Sequence, residues 1–289
     1  MTELTQAQIG AFWNDGVLTV PDAISAGQLN RLRVDFNTWV TESYAKTASY
    51  GDTTDGRPRF DLQPGDGDKP TALRRVQAPT EVSDAFYEVM SSSRMTQMVA
   101  DLIGPNVKHH HNKINSKQPG SNTQVKWHQD FSFTPHTNSD VVTALLMVDE
   151  VTLDNGPLEV APGSHREELH SLWHEGVFTG AVAPSVAASL QSRAVPATGP
   201  AGSVCLMHTR LAHGSKPNHT DLPRTLFICV YSAADAVACT RNPVPNAHEG
   251  LIVAGRDTGT VRATEFTVVR PEYPKSVSFF SQQSKMERT

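Results

Sequence analysis

The sequence predicts a mainly β protein, a double-stranded β-helix or jelly roll with α-helices flanking it on the N-terminal side. Three observations predict it. As far as about residue 105, capped segments carry apolar residues at helical spacing. From 107 to 231 the pattern changes to short β-branched and aromatic runs broken by Gly, Pro, Asn and Asp. After Asp235 the periodicity stops and the chain turns Pro- and Gly-rich.

The elements follow in order. Thr5 with Gln8 and Ser25 with Gln28 fit the capping box, in which each side chain satisfies the other residue's backbone N–H. Leu29, Leu32, Phe36, Trp39 and Val40 then recur on one helical stripe. Residues 45–69 carry Gly, Asp, Thr and Pro without periodicity and are predicted as a loop long enough to serve as a lid. A single helix is predicted over 85–103, with Met95, Met98, Val99 and Leu102 on its core stripe and Gly104-Pro105 ending it. Strands are predicted over 107–116, 123–127, 141–148, 158–161, 203–207 and 225–231. Residues 169–188, with Trp173, Phe178 and an Ala-rich stretch, read as an insertion over the barrel mouth. The whole chain, 1–289, is predicted as one domain with a helical part to about 105, a β core over about 106–235 and a C-terminal wrap over 236–289 that supplies substrate contacts.

Lys plus Arg number 25 against 30 Asp plus Glu, a net charge of −5 without a basic run, which argues against nucleic acid or an anionic membrane and for a small-molecule partner. Homo-oligomerisation is left open. No apolar run approaches a membrane span, and Met1-Thr2-Glu3-Leu4-Thr5-Gln6 is no signal sequence. Cys205, Cys229 and Cys239 form no close pair, and the first two fall in apolar strand patterns, as expected of reduced thiols in a cytoplasmic protein.

His128-Gln129-Asp130 carries the chemistry. Residues two apart on an extended segment face the same side, so His128 and Asp130 are placed to grip one ion. One distant imidazole completes the two-nitrogen, one-carboxylate set that holds non-haem iron(II) on one face and leaves the opposite positions open. His213 lies 11 residues before Arg224 and is followed by Gly214-Ser215; His208, 16 residues before Arg224, competes with it. An iron held by three protein groups has room for the chelating end of 2-oxoglutarate. Its far carboxylate then needs a cation, and the planar fork of an arginine pairs a carboxylate bidentately. His109-His110-His111 alternate faces on a strand, cannot all bind one ion, and read as a strand with a core and a surface side. His165 reads as shaping a turn beside the site.

Trp127-His128-Gln129-Asp130-Phe131, the stretch Asp154-Asn155-Gly156-Pro157-Leu158-Glu159-Val160-Ala161-Pro162-Gly163-Ser164-His165, and His213-Gly214-Ser215 followed by Arg224 resemble the phytanoyl-CoA dioxygenase family of iron(II)/2-oxoglutarate oxygenases. The ectoine hydroxylase branch is similar around the first ligands. The likeness runs from about residue 73 to residue 231 and is weaker in the helical N-terminus. It implies a cupin-like barrel, iron(II) ligated by His128, Asp130 and His213, and 2-oxoglutarate held at its distal carboxylate by Arg224 with the Ser215 hydroxyl. Asn115 falls where that branch places a polar contact to the cosubstrate, with His111, Lys113 and Lys117 as competitors. The implied reaction consumes dioxygen, with ascorbate as a reductant, and hydroxylates a carbon of a small molecule with release of succinate and carbon dioxide. In related halogenases a small residue replaces the carboxylate ligand so that chloride can bind, so Asp130 points to hydroxylation over chlorination; desaturation, epoxidation and ring closure stay open.

Beyond Asp130 the ectoine hydroxylase signature continues with an acidic residue and a Thr-Trp-His run, whereas this chain has Phe131-Ser132-Phe133-Thr134-Pro135-His136, so ectoine is not the expected substrate. Nothing marks a coenzyme A site. Candidate substrate contacts are Phe131, Phe133 and one of Arg74 and Arg75, the last facing an anion. Two other readings use the same residues: a metal-dependent cupin-like enzyme without 2-oxoglutarate, in which Arg224 and Ser215 are structural, and a non-catalytic small-molecule-binding barrel.

Overall fold

The computed structural model describes residues 2–63, 71–119, 123–274 and 283. Both predicted capping boxes form: Thr5 accepts from Gln8 N at the start of α1, Gln6–Asp15, and Ser25 from Gln28 N at the start of α2, Ala26–Ser43. Between them runs β1, Val17–Val20. Phe12, Leu32, Phe36 and Trp39 are the buried stripes of these helices.

The segment 45–69 is not a plain loop. It contains β2, Tyr50–Asp52, and β3, Pro58–Gln63, while 64–69 lie outside the described residues. Charged residues conceal these strands in the sequence: Arg59 and Asp61 are buried because Glu81 and Arg74 pair with them at 2.6 and 2.8 Å. β4, Ala72–Gln77, joins them to the core sheet. The predicted helix over 85–103 is two helices, α3, Asp84–Ser92, and α4, Arg94–Ile103. Ser93 divides them, since its hydroxyl donates to Val89 O at 2.6 Å and its N–H to Thr96 Oγ1 at 2.9 Å. Such local side-chain partners compete with the helical ladder.

The remaining elements are β5, Val107–Lys117, β6, Val125–Gln129, β7, Val141–Met147, β8, Leu158–Val160, β9, Trp173–His174, β10, Val177–Phe178, α5, Pro184–Gln191, β11, Val195–Ala197, β12, Val204–His208, β13, Ala212–Ser215, β14, Arg224–Ala233, and β15, Ile252–Ala254. One nine-stranded sheet runs β1-β12-β7-β14-β5-β4-β3-β2 with β15 beside β5, a four-stranded sheet runs β11-β8-β13-β6, and β9 and β10 form a hairpin. β7 and β14 are buried along their whole lengths. On one face Val142, Ala144, Phe227 and Tyr231 pack under the helices; on the other Leu145, Met147, Leu226 and Ile228 meet Leu158, Val160 and Ala197 of the smaller sheet.

Two expectations change here. His109, His110 and His111 are all buried, with no surface side, because the C-terminal chain covers that face: Asn242 and Asn246 donate to His110 O at 3.1 and 3.0 Å. The segment 169–188 contributes no residue to the wall of the cavity described below. Its apolar residues instead back the smaller sheet, where Leu172, Phe178 and Val182 cluster with Trp127 and Ala212, and Val182 N donates to Trp127 O at 2.9 Å. Among the described residues no helix is long and apolar enough to cross a membrane.

Candidate active site

β13 lies between β6 and β8, and its register sets His213 directly opposite His128. Cross-strand partners stand side by side on one face, and the two imidazole centroids are 4.2 Å apart. Asp130 does not continue the strand as expected; it opens the single 3₁₀ turn Asp130–Ser132. The turn still brings its carboxylate to the pair, with Oδ1 at 3.5 Å from His128 Nε2 and 3.7 Å from His213 Nε2. Ligand atoms of all three residues lie within 4.8 Å of one another.

Backbone carbonyls orient the rings. His128 Nδ1 lies 2.8 Å from Lys126 O and His213 Nδ1 3.0 Å from Leu211 O, contacts that only an N–H makes favourably. Both Nε2 lone pairs are thereby left facing Asp130. Thr143 Oγ1 donates to Asp130 Oδ2 at 2.8 Å and holds the other carboxylate oxygen away from the imidazoles. Burial, with His128 alongside, pushes His213 down to about 4 against the pull of Asp130. Burial alone would raise the Asp130 carboxyl, but His213 and His128 hold it well below the usual carboxylate range. A neutral His213 and an ionised Asp130 are the protonation states a divalent cation requires, and two nitrogens with one carboxylate suit iron(II).

His208 is excluded from this set. It lies on β12 in the other sheet, where its Nδ1 accepts from Arg210 N at 3.1 Å and its ring packs against Trp13 and His165. His165 sits in the turn Ser164–Arg166 with Nε2 at 3.1 Å from Trp13 O.

The triad opens onto a cavity whose opposite wall is the inner face of β5 and β14. Their register sets Arg224 opposite Lys117, Leu226 opposite Asn115, Ile228 opposite Lys113 and Val230 opposite His111, and all eight line the cavity. At one end Arg224 is buried, with Nε and Nη2 donating to Gly156 O at 3.0 and 2.6 Å. Gly156 has φ +77, and a Cβ there would lie 2.6 Å from Lys216 O, so the turn that presents this carbonyl needs glycine. Asn155 closes the same turn, accepting from Thr152 N at 2.9 Å and donating to Glu150 O at 2.8 Å. Beside Arg224, Lys117 Nζ donates to Ser215 Oγ at 2.7 Å and to Lys216 O. Burial, and then the neighbouring Arg224, push the Lys117 ammonium down to about 5.

Of the other expected residues, Asn115 lines the cavity with Oδ1 lacking a hydrogen-bond partner. Phe133 lines it too, its ring edge-on to His128 at 5.7 Å between centroids. Arg75 is on the wall; Arg74, its alternating neighbour, is not, and pairs with Asp61 at 2.8 Å. Phe131 is also not brought there: it packs with Val141, Val230 and Phe266. Sequence reasoning did not find Thr143 or Arg57, and it reached Lys113 and Lys117 only as competitors of Asn115. The spacing of His111, Lys113, Asn115 and Lys117, two apart on one strand, is the signal that puts all four on one face.

A mainly β fold with a buried His/Asp/His donor set beside a cationic cavity defines an iron(II)- and 2-oxoglutarate-dependent dioxygenase. The chain matches the phytanoyl-CoA dioxygenase (PhyH) family over residues 12–226 and belongs to it. The match takes in the helical N-terminus as well as the motifs. A probable alpha-ketoglutarate-dependent hypophosphite dioxygenase of Stutzerimonas stutzeri is 34% identical, over 75% of this chain and 77% of the relative. An L-proline trans-4-hydroxylase of Streptomyces griseoviridis is 26% identical, over 76% of this chain and 84% of the relative. In fold the chain is similar to EctD from S. alaskensis, solved with 2-oxoglutarate and 5-hydroxyectoine, with a TM-score of 0.66, 23% identity, and coverage of 94% of this chain and 88% of that one.

Proposed function

We propose that this dioxygenase hydroxylates a carbon of a small-molecule substrate, with His128, Asp130 and His213 as its iron(II) ligands. The observation that carries the assignment is the convergence of His128 Nε2 and His213 Nε2 on Asp130 Oδ1, at 3.5 and 3.7 Å. When bound, iron(II), 2-oxoglutarate and dioxygen supply the oxidation, in which carbon dioxide is lost and one oxygen atom passes to succinate and the other to the substrate.

The protein's part is orientation and exclusion of water. Arg224, pinned by Gly156 O, offers its guanidinium to the distal carboxylate of the cosubstrate, and Ser215 and Lys117 flank it. Asn115 stands between that end and the triad and contacts the cosubstrate there. Phe133 shields the His128 ring from solvent. Relatives named for hypophosphite, proline and ectoine support a small substrate.

The strand orders β12-β7-β14-β5 and β11-β8-β13-β6 support reading the two sheets as a double-stranded β-helix, with the whole chain as one domain. Buried thiols at Cys205 and Cys229 support a reducing, cytoplasmic setting, and the net charge of −5 supports neither nucleic acid nor membrane as partner.

Purified enzyme with iron(II), ascorbate and 2-oxoglutarate should release succinate. His213→Ala should lose bound iron and turnover while His208→Ala keeps both, as read by metal content and succinate. A dead, iron-free His208→Ala with an active His213→Ala would overturn the ligand set. Iron binding without any consumption of 2-oxoglutarate would favour the cupin-like reading.

A further inference from the structure

We propose that the substrate carries an anionic head group, a phosphonate, sulfonate or carboxylate, which Arg75 and Lys113 hold on the side of the cavity away from Arg224. The proposal rests on the dioxygenase reading above and specifies what that site accepts.

Placement comes from strand register. β4 sets Arg75 opposite Asn115, and Lys113 lies two residues from Asn115 on β5, so all three project from one face of the sheet into the cavity. Lys117, the partner of Arg224, is four residues from Lys113, about 13 Å along a strand. One cosubstrate carboxylate anchored at Arg224 and Lys117 therefore leaves the Lys113 end of the row for a second anion.

The carboxylates that act on the two cations, Asp61 on Arg75 and Asp130 on Lys113, do so from beyond ion-pair distance. Arg75 is 7% exposed and its Nε has no hydrogen-bond partner. Among the described residues neither Arg75 nor Lys113 makes an ion pair. Both carboxylates are already engaged elsewhere: Asp61 meets Arg74 through Oδ2 at 2.8 Å and Oδ1 at 3.3 Å, and Asp130 faces His128 and His213 and accepts from Thr143 Oγ1 at 2.8 Å. A buried guanidinium with an unpartnered N–H is unfavourable, which points to a ligand that completes it.

A charge count agrees. The cavity wall carries five basic residues, Arg57, Arg75, Lys113, Lys117 and Arg224, against one carboxylate, Asp130. Asp130 serves the metal, Asp55 neutralises Arg57, and the cosubstrate's distal carboxylate answers Arg224 and Lys117. Arg75 and Lys113 remain. Burial, with Arg57 and Arg74 nearby, lowers Arg75 to about 10 against the pull of Asp61, and burial beside Arg75 lowers Lys113 to about 8 against the pull of Asp130, values at which both are still cations at neutral pH. Phe133, Pro243 and Val244 add apolar surface to the same wall, which suits a short aliphatic body between the head group and the metal.

The test uses propylphosphonate, propanesulfonate and butanoate as anionic probes, with propylamine and butanol as cationic and neutral counterparts. Binding to the anaerobic iron(II)- and 2-oxoglutarate-loaded enzyme is measured by calorimetry, and succinate release is followed in air. At least one anion should bind and stimulate release while amine and alcohol do neither. Arg75→Gln and Lys113→Gln should each weaken that anion about tenfold or more, the loss of one charge-assisted hydrogen bond, and leave the KM for 2-oxoglutarate within about twofold. Arg75→Lys and Lys113→Arg, which keep the charge, should retain part of the affinity and guard against a folding defect. The proposal fails if no anion binds, if amine or alcohol binds as well as the anions, or if the neutral variants raise the KM for 2-oxoglutarate instead. Substrate-free succinate release separates the layers: if it is normal and the anions do not bind, only this proposal falls; if it is absent in the wild type, the dioxygenase reading falls as well.

Discussion

Arg224 makes two hydrogen bonds to one carbonyl, Gly156 O, through Nε and Nη2. A lysine has the charge but not the planar fork, so Arg224→Lys loses both the pin and the bidentate face. The affinity for 2-oxoglutarate should fall by about 1–3 kcal/mol, roughly five- to 150-fold in KM, with iron content unchanged. Succinate production across a 2-oxoglutarate series reads this out, and an unchanged KM would take Arg224 out of the cosubstrate site. Lys117 predicts a pH dependence. Burial brings its folded value to about 5, below the ordinary 10.5. Between those values the unfolded chain holds a proton that the folded one does not, so stability of the cosubstrate-free enzyme rises with pH across the window. Lys117→Met removes that contribution, and its Tm should vary less than the wild type's between pH ~6 and ~9. An identical slope in the variant would mean that Lys117 is charged in the folded enzyme.

The turn from Asn155 to Gly156 shows how an element far from the metal in sequence sets a binding group. Gly156→Ala forces a side chain into φ +77 with its Cβ 2.6 Å from Lys216 O, so the backbone must move and the carbonyl under Arg224 moves with it. We expect a destabilisation of about 1–3 kcal/mol from the strained backbone, and a raised KM for 2-oxoglutarate. Thermal unfolding and succinate kinetics check the two effects separately; loss of stability with an unchanged KM would uncouple this turn from Arg224. The smaller sheet acts on the triad in the same indirect way. Phe178 packs on Phe133 at 5.7 Å between centroids, and Phe133 packs on His128 at the same separation, so the segment expected over the barrel mouth supports His128 from behind.

Across the whole molecule the cores are independent of the metal. The two largest lie between the helices and the large sheet and between the two sheets, smaller ones sit behind the smaller sheet and around Phe131, and none includes His128, Asp130 or His213. Removing iron with a chelator should therefore leave the far-ultraviolet circular dichroism unchanged. Adding iron(II) at about a hundred times its dissociation constant should stabilise the fold by about 2.7 kcal/mol, roughly 5 to 10 °C in Tm. Loss of secondary structure on chelation would show that the metal is part of the fold.

Local rules reached far into this molecule where the signal is short-range. Thr5 and Ser25 cap helices because the partners of each capping box lie three residues apart, and no tertiary contact is needed to specify that. The convergence of His128, Asp130 and His213, with Arg224 on the same cavity, was legible because metal and carboxylate chemistry restrict residue type. β2 and β3 were not legible, since Arg59 and Asp61 enter a sheet only with Glu81 and Arg74 present to neutralise them. The expected break between core and surface along His109-His110-His111 failed for the same reason: residues more than a hundred positions away cover the outer face. Choosing between His213 and His208 by geometry required the pairing of β13 with β6, and separating Arg75 from Arg74 required the pairing of β4 with β5. Periodicity says which residues share a face. Only the register of strands distant in sequence decides which of those faces meet around one ion.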